Sequence, residues 1–263
     1  RSMDQYSDRP MIEIKRGGAW SCFTYAEFAR EVDAVRAGLA GLGVSAGDRV
    51  AIIANNRVEW AALAYATFGL GAAYVPMYEA QQADEWRFIV SDCGARVVFV
   101  ANDGIAQTLS KLRPELPSVV HLVSLAAKAG SADTTYEAVR DQGRHKAVPV
   151  LAAEANTPAT FLYTSGTTGQ PKGVVLSHAN IALNVSAVHE VFPMAPEDRS
   201  LSFLPWAQTF GQTVELHGLF SIGDSIAFAN LSGGKVASEI IPKDRYKYFW
   251  VYDKNLKPLW RGT

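Results

Sequence analysis

Buried-strand patterns alternate with helix patterns through the first half of the chain, and this alternation restricts the fold more than any other feature. Residues 50–54 read Val-Ala-Ile-Ile-Ala, a continuous apolar run typical of a parallel strand covered on both faces. Similar runs occupy residues 72–75, 96–100 and 119–125, with helix-length segments between them. Parallel strands joined by helices need right-handed crossovers, so we predict an α/β fold: a doubly wound, largely parallel sheet with helices on both faces.

Capping signals predict where several helices begin. Thr24 and Glu27 have the spacing of a capping box and precede apolar residues at helical intervals. Asn56, three residues before Glu59, predicts a second cap, and Ser177 predicts a third. Further helices are expected at residues 83–92, 105–112, 135–142 and 208–220, and a further strand at 200–204.

An uncharged run at residues 60–78 is almost long enough to span a bilayer. Glycines and a proline interrupt it, and its second half is strand-like. We therefore interpret it as a buried helix followed by a buried strand, and we predict no integral membrane segment.

Composition excludes some partners and compartments. The chain has 263 residues, of which 48% are hydrophobic and 19% charged, as in an ordinary globular protein. A net charge of −1 gives no electrostatic footprint for nucleic acid or an anionic membrane. The two cysteines, Cys22 and Cys93, have no metal or redox spacing, so we interpret both as small buried residues. This use of cysteine makes a reducing cytoplasm the predicted location. No signal peptide opens the sequence, and no metal site is expected from the histidines.

Residues 163–173 read Tyr-Thr-Ser-Gly-Thr-Thr-Gly-Gln-Pro-Lys-Gly, a loop rich in hydroxyl groups and glycine. Glycines allow positive φ, so that successive N–H groups can point into one concavity, and Lys172 adds a positive charge. Many short donors and a cation suit a polyphosphate. Both flanks read as strands, which favours the tip of a β-hairpin over the helix N-terminus of a Walker loop. A surface hairpin without a ligand is the alternative.

This loop resembles the phosphate-binding signature of the adenylate-forming (AMP-dependent synthetase/ligase) superfamily, which includes acyl-CoA synthetases, luciferases and peptide-synthetase adenylation domains. Three more segments are similar to the opening of acyl-CoA synthetases: Gly-Asp-Arg-Val-Ala-Ile at 47–52, Asn-x-x-Glu-Trp at 56–60 and Gly-Ala-x-x-Val-Pro at 71–76. Residues 204–212 resemble the Leu-Pro-x-Ala-His segment of long-chain fatty acyl members, with Gln208 in place of the histidine.

The resemblance implies a two-step ligase in which a fatty or other carboxylic acid attacks the α-phosphate of ATP and coenzyme A then takes the acyl group. ATP, Mg²⁺ and coenzyme A are the implied cofactors and co-substrates. Lys172 and Gln208 are the implied catalytic residues; the Gln208 amide can donate a hydrogen bond but cannot become positively charged. The implied phosphate-binding residues are Thr164, Ser165, Gly166, Thr167, Thr168, Gly169 and Lys172, and the implied acyl-binding residues are Trp206, Phe210 and Gly211.

Later segments of the family that contact adenine, ribose and Mg²⁺ and supply a lid lysine are not found. We therefore expect residues 1–235 to form the N-terminal part of the adenylate-forming large domain, a truncated portion of the acyl-CoA synthetase fold. Residues 236–263 are expected to form a divergent aromatic β-hairpin. The expected function is ATP-dependent acid activation, weak or absent in this fragment alone. The alternative is a non-catalytic fragment that binds an acyl chain, a polyphosphate or a protein. An incomplete sheet also predicts self-association or a partner chain.

Overall fold

The computed structural model describes residues 2–16, 19–164, 170–192, 194–202 and 204–228, and the backbone of 250–252 and 258–261. Most of the described residues belong to regular helices and strands. Short irregular pieces are a 3₁₀ turn at Arg113–Glu115 and a π-helical stretch at Gly211–Gly218. The elements in chain order are α1 (Ser2–Gln5), β1 (Pro10–Arg16), β2 (Ala19–Thr24), α2 (Tyr25–Gly41), β3 (Arg49–Ile53), α3 (Val58–Gly69), β4 (Ala73–Met77), α4 (Ala83–Cys93), β5 (Val97–Val100), α5 (Asp103–Leu112), β6 (His121–Ser124), β7 (Thr134–Thr135), α6 (Tyr136–Gly143), β8 (Pro158–Thr164), β9 (Lys172–Ser177), α7 (His178–Val191), β10 (Arg199–Ser202), α8 (Leu219–Ile222), β11 (Ser225–Phe228), β12 (Trp250–Tyr252) and β13 (Pro258–Arg261).

The larger sheet confirms the predicted α/β architecture. Its seven strands lie in the order β7-β6-β5-β3-β4-β8-β9, and every neighbouring pair is parallel except β8 and β9. Neighbouring residues of β3 face opposite sides: Val50 and Ile52 pack with α2, α3 and α6, whereas Ala51 and Ile53 pack with α4 and α5. Since both sides of the strand are buried, its continuous apolar sequence is explained.

The structure also contains a second, four-stranded sheet, which was not predicted from the sequence. Its strands lie in the order β10-β11-β1-β2, and β1 runs parallel to β11 and antiparallel to β2. Ile12 of β1 faces Ile226 of β11, a partner far along the chain. Pairing at that sequence separation leaves no local pattern, because each strand alone reads only as a short apolar segment.

Most helix predictions are confirmed. Thr24 and Glu27 form both bonds of a capping box, and the Ser177 side chain accepts from the backbone N–H of Asn180. The uncharged run at residues 60–78 contains most of α3, followed by β4. Among the helices of the described ranges, none has both the length and the apolar character needed to cross a membrane.

Two local predictions were wrong. The N-cap of α3 is Arg57, whose side chain makes no capping bond, and Asn56, the predicted cap, bonds instead to Ser202 and Leu204. Cys22 is exposed, because it lies on β2, the outermost described strand of the smaller sheet, and only Cys93 is buried. The helix predicted at 208–220 is observed, and most of it is the π-helical stretch that α8 continues.

The C-terminal segment is described only in part. β12 and β13 pair antiparallel, with Val251 opposite Trp260, within the segment where a hairpin was predicted. The residues that join them lie outside the described ranges.

Candidate functional site

The β8–β9 hairpin is formed as predicted. Thr164, the last residue of β8, pairs with Lys172, the first residue of β9. Both residues are exposed, and within the described part of the chain Lys172 makes no ion pair. The predicted phosphate-binding residues between them, Ser165, Gly166, Thr167, Thr168 and Gly169, lie outside the described residues.

Tyr163 ties the base of this hairpin to α4. Its hydroxyl donates to Asp92 Oδ2 at 2.6 Å. Burial and the Asp92 carboxylate raise the pKa of Tyr163, which keeps the phenol protonated as a donor. Gly173 lies opposite Tyr163 in the ladder, and a Cβ on Gly173 would sit 3.0 Å from the Tyr163 ring. Glycine at position 173 therefore leaves room for the ring that anchors the stem.

Gln208 is exposed, on a turn that reaches the same edge of the sheet, and its side chain lies beside Tyr78, a half-buried residue directly after β4. Burial raises the pKa of Tyr78, and the Gln208 amide partly opposes this. Thr164 ends β8, which is parallel to β4 and adjacent to it. The structure therefore places Gln208 and the two ends of the phosphate loop at the carboxyl edge of the strands, where open α/β sheets bind ligands.

The three predicted acyl-binding residues have different environments. Trp206 is 0% exposed and packs edge-on against Trp60, with ring centroids 5.5 Å apart. Phe210 is 61% exposed. A Cβ on Gly211 would lie 2.5 Å from the Pro205 carbonyl oxygen, so the turn requires glycine there. Trp206 is a core residue in this structure, and its contact with a substrate stays a prediction.

Sequence reasoning missed the residues that fix this turn. Asn56 Nδ2 donates to Ser202 Oγ at 3.0 Å and to the Leu204 carbonyl at 2.7 Å. The Trp206 backbone N–H donates to Asn56 Oδ1 at 2.9 Å. Glu215 accepts from Ser202 Oγ at 2.8 Å and from the Leu204 N–H at 3.2 Å. In the sequence, the segment Asn-x-x-Glu-Trp at 56–60 could have indicated this role. Its asparagine was instead interpreted as a helix cap.

Comparison with known proteins identifies the family. The profile of the family described as "AMP-binding enzyme" matches residues 1–245. The chain belongs to this family. The match runs past residue 235, the boundary predicted from the sequence, and that boundary stays a prediction.

Relatives within the AMP-binding family include long-chain ligases. The chain is 34% identical over 221 residues to the long-chain-fatty-acid–CoA ligase FadD15 of Mycobacterium bovis, covering 81% of this chain and 37% of that protein. It is 32% identical over 221 residues to the peroxisomal long chain acyl-CoA synthetase 7 of Arabidopsis thaliana, covering 80% and 31%. The chain thus spans about a third of the length of these relatives.

Solved structures confirm the acyl-CoA synthetase fold. The ATP-bound MatB of Rhodopseudomonas palustris is 25% identical with a TM-score of 0.73, over 84% of this chain and 42% of that chain. The anthranilate CoA ligase AuaEII, solved with anthranoyl-AMP, is 22% identical with a TM-score of 0.78, over 86% and 43%. At that lower identity the likeness concerns the fold alone.

The chemistry of the described residues fits a nucleotide better than a metal ion. An exposed lysine and a threonine at the mouth of a glycine-rich loop supply a cation and a hydroxyl donor for phosphate oxygens. Among residues in the described ranges, no three histidine, cysteine, aspartate or glutamate side chains come together. Mg²⁺ is therefore assigned to no residue in the described ranges.

Proposed function

We propose that this chain contributes the N-terminal part of an ATP-dependent ligase that activates a fatty or other carboxylic acid as an acyl-adenylate and transfers it to coenzyme A. One observation carries the proposal. The stem of the phosphate-loop hairpin and the Gln208 turn meet at one edge of the sheet. This arrangement occurs in a chain 34% identical to a long-chain-fatty-acid–CoA ligase.

In this proposal the hairpin binds the nucleotide and Gln208 acts beside it. Thr164 and Lys172, with the loop between them, offset charge on the phosphates, Lys172 as a point charge. Each charge-assisted hydrogen bond of this kind contributes roughly 1.5–3 kcal/mol. The Gln208 amide donates to an oxygen that gains negative charge as the carboxylate attacks.

The rival function is non-catalytic binding of an acyl chain, a polyphosphate or a protein partner. It needs only the hairpin stem and the turn, both of which the described residues contain. Formation of pyrophosphate or acyl-adenylate from ATP, Mg²⁺ and a fatty acid separates the two. A product supports the ligase, whereas binding without a product supports the rival.

The decisive binding test concerns Lys172. Calorimetric titration of ATP with Mg²⁺ should show binding to the wild type and at least about tenfold weaker binding to Lys172→Ala, because one charge-assisted contact is lost. The matched control is Lys111→Ala, since Lys111 is an exposed lysine on α5. It should bind like the wild type.

Two outcomes would count against this function. If the wild type does not bind, the chain does not act on nucleotide by itself, although its family membership stands. If Lys172→Ala binds as tightly as the wild type, the lysine has no role at the phosphates.

We also propose that the open edge of β9 pairs with β9 of a second copy. Among the described strands β9 pairs with β8 alone, and Val174 and Val175 are both exposed. Antiparallel pairing about a two-fold axis at Val175 places the two copies of Val175 opposite each other, Val174 opposite Leu176 and Gly173 opposite Ser177. No like charges meet in that register, which favours pairing of an edge strand.

A further inference from the structure

Asn56 uses its whole side chain to hold a segment from another part of the chain. It lies between β3 and α3, at the carboxyl edge of the large sheet. Nδ2 donates to two acceptors and Oδ1 accepts from one N–H, and all three partners belong to residues 202–206. A primary amide is the neutral side chain that supplies two donors and an acceptor from one planar group. A carboxylate at this position would keep the acceptor and lose both donors.

Glu215 holds the same segment from the π-helical stretch. It is buried, and its two oxygens accept from Ser202 Oγ and from the Leu204 N–H. Ser202 connects the two sides, because its hydroxyl accepts from Asn56 and donates to Glu215. We refer to Asn56, Ser202 and Glu215 together as the clamp.

The clamp replaces the backbone partners that regular structure would supply. β10 ends at Ser202, and residues 204–206 belong to no ladder. The Leu204 N–H, the Leu204 carbonyl and the Trp206 N–H are each bonded to a clamp side chain. Buried backbone groups need such partners, so the path of this segment depends on the clamp.

The path of the segment in turn sets the position of Gln208. The Gln208 N–H donates to the Pro205 carbonyl at 3.0 Å, and the Gln212 N–H donates to the Gln208 carbonyl at 2.9 Å. The turn thus runs from the clamp directly into Gln208. Trp60 lies four residues after Asn56, in the first turn of α3. It packs on Trp206 and adds an apolar contact.

We infer that Asn56 and Glu215 are positioning residues, which hold the turn at residues 204–208 so that the Gln208 amide faces the reacting groups. This inference rests on the proposed function, because Gln208 needs a precise position only if it contacts substrate or nucleotide. A donor fixed in advance costs no reorganisation when charge develops, and small misplacements cost much of its effect. Neither residue touches the reacting atoms in this scheme; both act through Gln208.

The test replaces Asn56 with a side chain of the same shape. Asn56→Asp removes both donors, and Asn55→Asp is the matched control, since Asn55 is the exposed neighbour. Hydrogen exchange of the Trp206 backbone N–H should become at least about tenfold faster in Asn56→Asp, because Ser202 Oγ and the Leu204 carbonyl lose their donors and the turn then opens more often. The exchange rate in Asn55→Asp should equal that of the wild type. Equal exchange in Asn56→Asp and the wild type would overturn the clamp.

A double-mutant cycle separates positioning from general stability. The probe is a non-hydrolysable acyl-sulfamoyl adenosine, titrated into the wild type, Asn56→Asp, Gln208→Ala and the double variant. Asn56→Asp should bind it about tenfold more weakly, and the double variant no more weakly than Gln208→Ala. Additive losses would overturn the inference, because a merely structural effect does not depend on Gln208.

Two further readouts keep the outcomes distinct. If the wild type does not bind the probe, the proposed function fails, and hydrogen exchange still decides whether the clamp holds the turn. If Asn56→Asp does not fold, Ser202→Ala removes the bridging hydroxyl with a smaller change of shape. Faster Trp206 exchange in folded Ser202→Ala supports the clamp, and unchanged exchange contradicts it.

Discussion

At the scale of single residues, Asp224 is a buried carboxylate with a strongly altered ionisation. It precedes β11 and accepts hydrogen bonds from Ser200 Oγ at 3.0 Å and from the Ser225 N–H at 2.6 Å. Burial raises the pKa of Asp224 to about 7, and the two hydrogen bonds only partly oppose this. The folded chain therefore holds a proton on Asp224 at mildly acidic pH that the unfolded chain releases.

This predicts a stability that falls as the pH rises. Between pH 5 and pH 8 the folded state binds more protons at Asp224 than the unfolded state, so ionisation opposes folding. Asp224→Asn keeps the shape without the charge. Urea unfolding should show that the wild type loses about 2 kcal/mol relative to Asp224→Asn between these pH values. Asp84→Asn, at an 89% exposed side chain, is the control and should follow the wild type. Equal pH profiles for the wild type and Asp224→Asn would contradict the raised pKa.

At the scale of elements, α2 and α6 cross at two glycines. A Cβ on Gly38 of α2 would lie 2.2 Å from the Val139 carbonyl oxygen. A Cβ on Gly143 of α6 would lie 1.9 Å from the Ala34 carbonyl oxygen. Both contacts are with backbone, which cannot move aside as a flexible side chain can. The two helices can approach this closely only because neither position has a side chain.

Adding one methyl group at this crossing should separate the helices. We expect Gly38→Ala to lower the free energy of unfolding by roughly 1–3 kcal/mol, the range for overpacked interiors. Gly41 lies in the same helix and has no atom within 4 Å of its Cβ position. Gly41→Ala should therefore be neutral or stabilising by up to about 1 kcal/mol. Thermal and urea unfolding measure both changes, and equal effects of the two substitutions would refute the close crossing.

At the scale of the whole molecule, exposed apolar side chains gather on β9, α7 and the start of the π-helical stretch. No residue of α7 is buried, and Leu183 and Val191 are 70% and 73% exposed. Val174 and Val175 extend this surface to the free edge of the sheet. Exposed apolar side chains on α7 and on an edge strand favour association.

Sedimentation velocity tests association through β9. The wild type should form dimers as its concentration is raised, and Val175→Lys should stay monomeric, because pairing about Val175 would place two lysines directly opposite each other. Val150→Lys adds the same charge at an exposed valine outside the strands and should dimerise like the wild type. A monomeric wild type at both low and high concentration would contradict the proposal.

The sequence by itself determined the features whose signals are local. Capping residues at Thr24 and Ser177, apolar runs such as 50–54, and a glycine-rich loop between two strands are complete within a few neighbouring residues. Each therefore predicted the element that is observed, and together they indicated an α/β sheet and the AMP-binding family. At the site, the stem residues Thr164 and Lys172 were placed correctly as ends of one hairpin.

Only the tertiary structure decided which distant residues meet. The pairing of β1 with β11, and the second sheet that it builds, depends on residues more than half the chain apart. The same holds for Asn56, which looked like a helix cap because its local spacing allowed one, yet bonds to Ser202, Leu204 and Trp206. An amide can satisfy either set of partners, and the choice depends on what folding brings within hydrogen-bond distance. Local pattern thus determined the elements and the stem of the β8–β9 hairpin, and long-range packing decided how Gln208 is held beside that stem.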